Sequence, residues 1–128
     1  MQERIINPGN CVYTASPDYV HAIEVSGIKR LVFVSGTMGL DSSGKAPETL
    51  SEQLRLVWAN IHRILAEAEL STDNIVRVTS YLRDAAFADE NQEARIAALG
   101  SRRVPTTAIV VATLEEDWMV EIEVIAAA

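Results

Sequence analysis

Two acids, Glu121 and Glu123, lie within an otherwise apolar run at residues 119–126. The period of a strand is two residues, so both carboxylates point to the same face of a sheet. Glu121 stands between Val120 and Ile122, and a carboxylate in such surroundings is suited to general acid–base catalysis. The alternative is that Glu121 is hydrogen-bonded at a subunit interface and has no catalytic role.

Other polar residues could place a ligand near such a carboxylate. Ser35 and Gly36 follow an apolar strand and could offer a hydroxyl and an unhindered backbone N–H to a ligand oxygen. The alternative is a strand end at which glycine relieves crowding. His21, His62 and the single Cys11 lack the spacing of metal ligands. The chain has no glycine-rich phosphate loop and no Gly-x-Ser-x-Gly motif, so we expect neither a metal nor a cofactor.

Composition narrows the class of protein. With 128 residues, of which 48% are hydrophobic, the chain is expected to form a single domain over residues 1–128. A net charge of −7 argues against a nucleic-acid partner, which needs a concentrated basic surface. One cysteine, no basic-then-apolar leader and no apolar run of membrane-spanning length predict a cytoplasmic protein without a membrane partner.

Hydrophobic periodicity predicts the order β-β-α-β-α-β-β, with a further strand possible near residues 4–6. The first two strands, residues 21–25 and 31–35, are expected to form a hairpin around Ser26-Gly27. Thr49 is expected to cap the first helix in a capping box with Glu52. The helix stops near residues 69–71. A left-handed (αL) residue at a helix end is usually glycine, and Glu69 stands there, so we expect the helix to end in a different geometry.

The remaining elements alternate in the same way. Residues 74–82 predict a strand, and residues 85–99 predict a second helix that ends at Gly100. Residues 107–114 and 118–126 predict two final strands joined as a hairpin by an acidic turn.

Two helices cannot cover both faces of a mixed sheet of about six strands, so we expect both on one face. Val110, Val124 and their neighbours suggest that the other face is too apolar to remain in water. Self-association through that face is the physical prediction.

Short motifs along most of the chain resemble those of the Rid family, the reactive-intermediate deaminases also called YjgF or L-PSP proteins. Each motif is weak alone, but together they occur in order and at compatible spacing. They are residues 16–22, residues 32–37, Asn60-Ile61, Leu82-Arg83-Asp84, Phe87, Asn91, Pro105 and residues 120–123.

The resemblance implies a chorismate-mutase-like α+β fold and a homotrimer. In such a trimer the sheets form a central barrel, the helices lie outside, and three clefts between subunits bind a small metabolite. A ribonuclease activity reported for some relatives is disfavoured here by the charge of −7.

The same resemblance assigns roles to residues. Glu121 matches the family's glutamate, which helps water to attack a C=N carbon, while Glu123 is interpreted as structural. Tyr19 matches a cleft tyrosine, with a core or interface aromatic as the alternative. Ser35 and Gly36 are further ligand contacts. Asn91 is the last ligand-binding candidate, and bracing of a loop is its alternative.

One position departs from the pattern. Deaminating members carry an arginine two residues after the proline, and a planar guanidinium there can grip a substrate carboxylate with two hydrogen bonds. This chain has Thr107 at that position. A threonine hydroxyl carries no charge, so 2-imino acids are not expected to be standard substrates. Arg102 or Arg103 could replace the missing group, although solvated loop residues are the simpler interpretation.

We therefore expect a hydrolase or deaminase-like enzyme that acts on an imine, enamine or related unsaturated metabolite, with Glu121 as the catalytic group and Thr107 among the ligand contacts. A non-catalytic metabolite-binding module is one alternative. A 2-iminobutanoate/2-iminopropanoate deaminase that uses another arginine is the other.

Overall fold

The structure is a computed structural model that describes all 128 residues. Six strands and two α-helices make up the fold, and the α+β class is confirmed. The elements are β1 (Gln2–Ile6), β2 (Ala22–Ser26), β3 (Leu31–Met38), α1 (Leu50–Glu67), β4 (Ile75–Leu82), α2 (Ala88–Leu99), β5 (Thr106–Val110) and β6 (Val120–Ala127). The further strand that the sequence allowed near residues 4–6 is β1.

The strands divide into a four-stranded sheet and a two-stranded ribbon. The sheet has the order β3-β6-β4-β5, in which β4 and β5 run parallel and the other neighbours antiparallel. The ribbon pairs β1 with β2, from Gln2 opposite Ser26 to Ile6 opposite Ala22. β6 is therefore a central strand, and both of its acids lie in the middle of the sheet.

Two predicted hairpins are wrong. β2 pairs with β1 and not with β3, while β3 pairs with β6. The last two strands are not neighbours either, because β4 lies between β5 and β6. Short turns suggested both hairpins, but pairing is decided by which strand edges remain free in the whole fold, and a local sequence pattern does not contain that information.

Helix α1 begins as predicted and is anchored by a buried glutamine. The hydroxyl of Thr49 accepts a hydrogen bond from the Glu52 N–H at 3.2 Å, although the Glu52 carboxylate pairs with Arg55 and does not complete the box. Gln53, 1% exposed, donates to the carbonyl of Asp117 at 2.7 Å and accepts from the N–H of Met119 at 2.9 Å. These bonds fix the residues that lead into β6.

The end of α1 corrects another expectation. Glu69 has φ = 59°, in the left-handed region, and the N–H of Leu70 donates to the carbonyl of Leu65 at 2.9 Å. The helix thus ends in the αL geometry that glycine usually supplies, with a glutamate in that place. The hydrogen bonds that close the last turn outweigh the local strain of the side chain.

One face of the sheet packs on the helices and the other is open. The core contains Val34, Val78, Ile122 and Val124 from the strands and the apolar stripe of α1. Val124, 1% exposed, lies on this covered face, so its assignment to the uncovered face was wrong. The open face instead carries apolar side chains at the sheet edges, namely Leu31 (50% exposed), Phe33 (72%) and Ile109 (45%). No helix is both long enough and apolar enough to cross a bilayer.

Candidate functional site

Three strands place a row of polar groups on the open face of the sheet. In the register of the sheet, Tyr81 lies opposite Glu121, and Thr79 lies opposite both Glu123 and Thr107. Side chains of directly opposed residues share a face. The middle of the open face therefore holds two acids, two hydroxyls and a phenol between apolar edges.

The carboxylate of Glu121 lies against the backbone of Gly36. A Cβ atom added at Gly36 would come within 2.0 Å of Glu121 Oε2, so this strand position has room for the carboxylate because it lacks a side chain. The register of β3 against β6 is irregular between Val34 and Thr37, which brings Gly36 out of the regular ladder and towards the acid. The two residues predicted from the sequence as catalytic and ligand-binding are thus neighbours.

Glu121 and Gly36 line a small open cavity. Its volume is about 230 Å³, and its wall is completed by residues 111–114, Tyr81 and Glu123. Glu121 has no hydrogen-bond donor from the chain, so its carboxylate is available to a water molecule or a ligand.

Tyr81 was not predicted as a site residue, and it lies opposite Glu121 on the adjacent strand while its hydroxyl binds Glu123. Its hydroxyl donates to Glu123 Oε1 at 2.5 Å. This hydrogen bond is the main cause that raises the pKa of Tyr81 above 10.0, with burial and the charges of Glu123 and Glu121 acting in the same direction and Arg77 acting against them. In the sequence, Tyr81 follows Arg77 and Thr79 at intervals of two residues along β4. This alternation could have placed it on the same face as those polar residues.

Thr107 lies outside the cavity of Glu121 and contacts an arginine that the sequence analysis missed. Arg77 Nη2 of the adjacent strand donates to Thr107 Oγ1 at 2.9 Å. A guanidinium therefore lies beside the residue that replaces the family arginine.

The two arginines considered as replacements are engaged elsewhere. Arg102 binds the carboxylate of Glu3, with Nη1 at 3.0 Å, and the carbonyl of Ile75 at 2.7 Å. Arg103 donates to the carbonyls of Pro17 and Gly100 at 2.9 and 2.8 Å. Their interpretation as free solvated residues is not supported, since both are half-buried and tie loops together.

The remaining predicted ligand contacts are dispersed within one subunit. Tyr19 is half-buried beside His21, with ring centroids 5.9 Å apart, near the start of β5. Ser35 is exposed, and its carbonyl accepts from the Thr37 hydroxyl at 2.9 Å. Asn91 is 2% exposed on α2 and does not line the cavity of Glu121.

The register also limits what one subunit can do alone. Thr107 and Glu121 are two strands and two residues apart, which separates their Cα atoms by roughly 12 Å. A ligand of a few heavy atoms cannot bridge that distance along one sheet. The structure also contains no group of three or more His, Cys, Asp or Glu side chains that could hold a metal ion.

Comparison with known proteins identifies the family. The sequence profile described as endoribonuclease L-PSP matches residues 11–128. The chain belongs to the endoribonuclease L-PSP family, also known as the Rid or YjgF family.

Relatives agree with this assignment. A RutC family protein of Pyrococcus abyssi is 32% identical over 115 residues, which is 84% of each chain. A RutC family protein of Aquifex aeolicus is 40% identical over 67 residues, so that this match spans about half of each chain.

Solved structures agree as well. RidA from a Psychrobacter species superposes with a TM-score of 0.73 at 28% identity, over 90% of this chain and 92% of the other. The Rid family protein YyfB of Yersinia pestis has a TM-score of 0.82 over the whole of both chains, and at 22% identity it supports the fold alone. The expected Rid fold is therefore confirmed.

Proposed function

We propose that this Rid family protein is a hydrolase of small imines or enamines, in which Glu121 activates the attacking water. The observation that carries the proposal is the Glu121 carboxylate, which lies against Gly36 in a small open cavity without a donor from its own chain. Glu123, two residues further on, has a partner on its own chain in Tyr81, whereas Glu121 has none.

The chemistry needs one proton acceptor that later becomes a donor. The Glu121 carboxylate accepts a proton from water as the water oxygen bonds to the carbon of the C=N group. The same carboxyl group returns that proton to nitrogen, which has received the C=N π electrons, and a carbinolamine forms. The carboxylate then takes the proton of the carbinolamine hydroxyl and passes it to nitrogen, so that the C–N bond breaks, the C=O bond forms and ammonia leaves. One imine and one water give one carbonyl compound and one ammonia.

The proposed site is shared between subunits of a homotrimer. Two features support this assembly besides the family resemblance. The open sheet face carries exposed apolar residues at both edges, including Phe33 and Ile109, and such surface is commonly an interface. The distance of roughly 12 Å between Thr107 and Glu121 also requires that a small ligand meet them on different subunits. A monomer in sedimentation equilibrium would contradict the shared site.

Measurement of ammonia release tests the proposed hydrolase activity. Imines are generated in situ from amino acids by an amino-acid oxidase, and release by the wild type is compared with Glu121→Gln and with Glu116→Gln, a matched change in the exposed acidic turn. We expect Glu121→Gln to lower the rate by about 10²-fold or more, the usual contribution of a positioned acid–base group, and Glu116→Gln to leave it unchanged. Equal rates for all three proteins would refute the role of Glu121.

A second candidate is a non-catalytic module that binds a metabolite in the same cleft. Thr107 favours it, because the residue that grips the substrate in deaminating relatives is absent. The same Glu121→Gln variant separates the two candidates. An enzyme loses turnover and retains binding, whereas a binding module changes only its affinity. Neither candidate involves nucleic acid, since the chain carries a net charge of −7.

A further inference from the structure

A groove runs between the two helices, on the side of the protein away from the candidate site. Its volume is about 550 Å³, against about 230 Å³ for the cavity of Glu121. The helices pack on the covered face of the sheet, whereas Glu121 lies on the open face. The groove therefore belongs neither to the proposed active site nor to the sheet surface that would form the trimer.

Helix α1 forms one wall and the floor of the groove. It contributes Ser51, Leu54, Arg55 and Trp58, whose spacing of i, i+3, i+4 and i+7 makes one stripe of about two turns. Leu54 and Trp58 also belong to the hydrophobic core, which holds the floor in place. Trp58 is 7% exposed, and its indole N–H has no acceptor in the chain. Because a buried indole N–H usually has a partner, the floor holds an unused donor.

Helix α2 forms the other wall with a face that does not pack on the sheet. Its buried residues are Asn91, Arg95 and Leu99, each four positions apart. A different stripe of about 12 Å, spaced i, i+3, i+4, i+7 and i+8, lines the groove: Glu90, Glu93, Ala94, Ala97 and Ala98. The alanines allow another backbone to approach closely. Two facing stripes of helical period make a groove of the kind that accepts a third helix.

The rim of the groove is acidic. Glu90 and Glu93 take part in no ion pair of the chain, and they repel each other at i, i+3. Arg55 on the opposite rim is already ion-paired at 2.9 Å. The one base of α2, Arg95, is 5% exposed and also ion-paired. Positive charges on an occupant would therefore meet two unpaired carboxylates.

We propose that this groove docks an amphipathic helix of a partner protein. The helix inserts apolar side chains at i, i+3, i+4 and i+7 and places lysines or arginines beside Glu90 and Glu93. The partner is a different protein, because a second copy of this chain carries the same net charge of −7 and is repelled. Docking at the helices leaves the open sheet face free, so it is compatible with the proposed assembly.

Binding of designed peptides tests the groove. The probe has about 18 residues, enough to form a helix, with alanine and leucine on one face and lysine elsewhere. One comparison peptide carries glutamate in place of lysine, and another has the composition of the probe in an order without helical periodicity. Affinity is measured by isothermal titration. The indole N–H resonance of Trp58 reports occupation of the floor, and Trp118→Phe identifies that resonance because the chain has two tryptophans.

Charge reversal tests the rim. Glu90→Lys/Glu93→Lys should weaken binding of the lysine peptide by about 10-fold or more, since two attractions become repulsions. Glu67→Lys/Glu116→Lys makes the same change in net charge at exposed acids that do not line the groove. It should have a much smaller effect at about 0.15 M salt, where charges more than about 8 Å away are screened.

Added bulk tests the shape of the groove without a change of charge. Ala97→Tyr fills the groove from an exposed position, so it should weaken binding by about 10-fold or more and remove the shift of the Trp58 resonance. Ala59→Tyr adds the same side chain to an exposed position of α1 outside the groove and should bind like the wild type. Glu121→Gln should also bind like the wild type, so failure of the catalytic proposal leaves this result interpretable.

Four outcomes would overturn the proposal. They are no binding of the lysine peptide, equal binding of either comparison peptide, equal weakening by the two charge variants, and binding that Ala97→Tyr leaves unchanged. Self-association that Ala97→Tyr abolishes would assign the groove to a second copy and would also overturn it. Sedimentation and thermal melting establish that each variant keeps its fold. If Ala97→Tyr does not fold, Ala97→Gln, a good helix former, takes its place.

Discussion

Replacing Gly36 with alanine tests whether the Glu121 carboxylate occupies the position that the structure gives it. The backbone of Gly36 has no positive φ, so alanine can adopt its conformation, and the close approach of Glu121 is the reason for glycine. The added Cβ would lie 2.0 Å from Glu121 Oε2 and 2.9 Å from Cδ. Carbon and oxygen rarely approach closer than about 3.2 Å, so the carboxylate has to retreat by roughly 1.2 Å.

The two expected effects of Gly36→Ala differ in size. The atoms in the way belong to the end of a flexible side chain, so the free energy of unfolding should fall by only about 1 kcal/mol, the low end of overpacking costs. In the proposed hydrolase the rate should fall far more, since a displacement of about 1 Å in a reacting group costs about 10²-fold in rate.

A double-mutant cycle in urea isolates the contact. In Glu121→Ala the obstructing atoms are absent, so adding Gly36→Ala there should be neutral, or stabilising by about 0.4–1 kcal/mol because alanine restricts the unfolded chain. Gly39→Ala is the matched contrast. Its Cβ would meet the backbone carbonyl oxygen of Gln53 at 2.1 Å, and α1 cannot turn away, so we expect a loss of about 3 kcal/mol or more. An equal cost of Gly36→Ala in both backgrounds would refute the reasoning.

Three further predictions concern single contacts. Glu69→Gly should raise the free energy of unfolding by about 1 kcal/mol, because glycine accepts the φ of 59° without strain, while Glu69→Gln should not. Tyrosinate absorbance should show Tyr81 ionising above its ordinary value of 10.0, and Glu123→Gln should return its pKa towards that value, with Tyr81→Phe identifying the signal. Glu3→Gln should cost about 0.5–1 kcal/mol at pH 7 in chemical denaturation. Because Arg102 holds the pKa of Glu3 below 4.5, that stability is present above about pH 4.5 and is lost as the pH falls through the lowered pKa.

Each of these three predictions has a result that contradicts it. An increase in stability for Glu69→Gln equal to that for Glu69→Gly would assign the effect to charge at the helix end and not to backbone strain. Unchanged titration of Tyr81 in Glu123→Gln would remove the hydrogen bond as the cause. A cost of Glu3→Gln that is the same well below pH 4 as at pH 7 would show that the ion pair with Arg102 is not its origin.

Local chemistry accounts for what the sequence predicted well. Helix α1 follows from apolar residues at helical spacing and a threonine cap, and Gly100 ends α2 with φ = 62° at the position expected for a helix terminus. The sequence motifs also indicated the family, which the profile match over residues 11–128 confirms. The same motifs single out Glu121 and Gly36, which the fold brings together.

The pairing of distant strands accounts for the contacts that the sequence did not predict. Both predicted hairpins are wrong because β2 pairs with β1 and β4 lies between β5 and β6, and strand order depends on all edges at once. That order places Tyr81 opposite Glu121 and brings Arg77 to Thr107, residues 30 positions apart in the chain. No spacing rule links such positions.

The sequence by itself determined the elements, the family and the acid of the candidate site, because periodicity, caps and motifs act over a few neighbouring residues. Only the tertiary structure decided which side chains meet that acid and which arginine stands beside Thr107. Those contacts arise from the register between strands, and register is set by burying one whole face of the sheet against two helices.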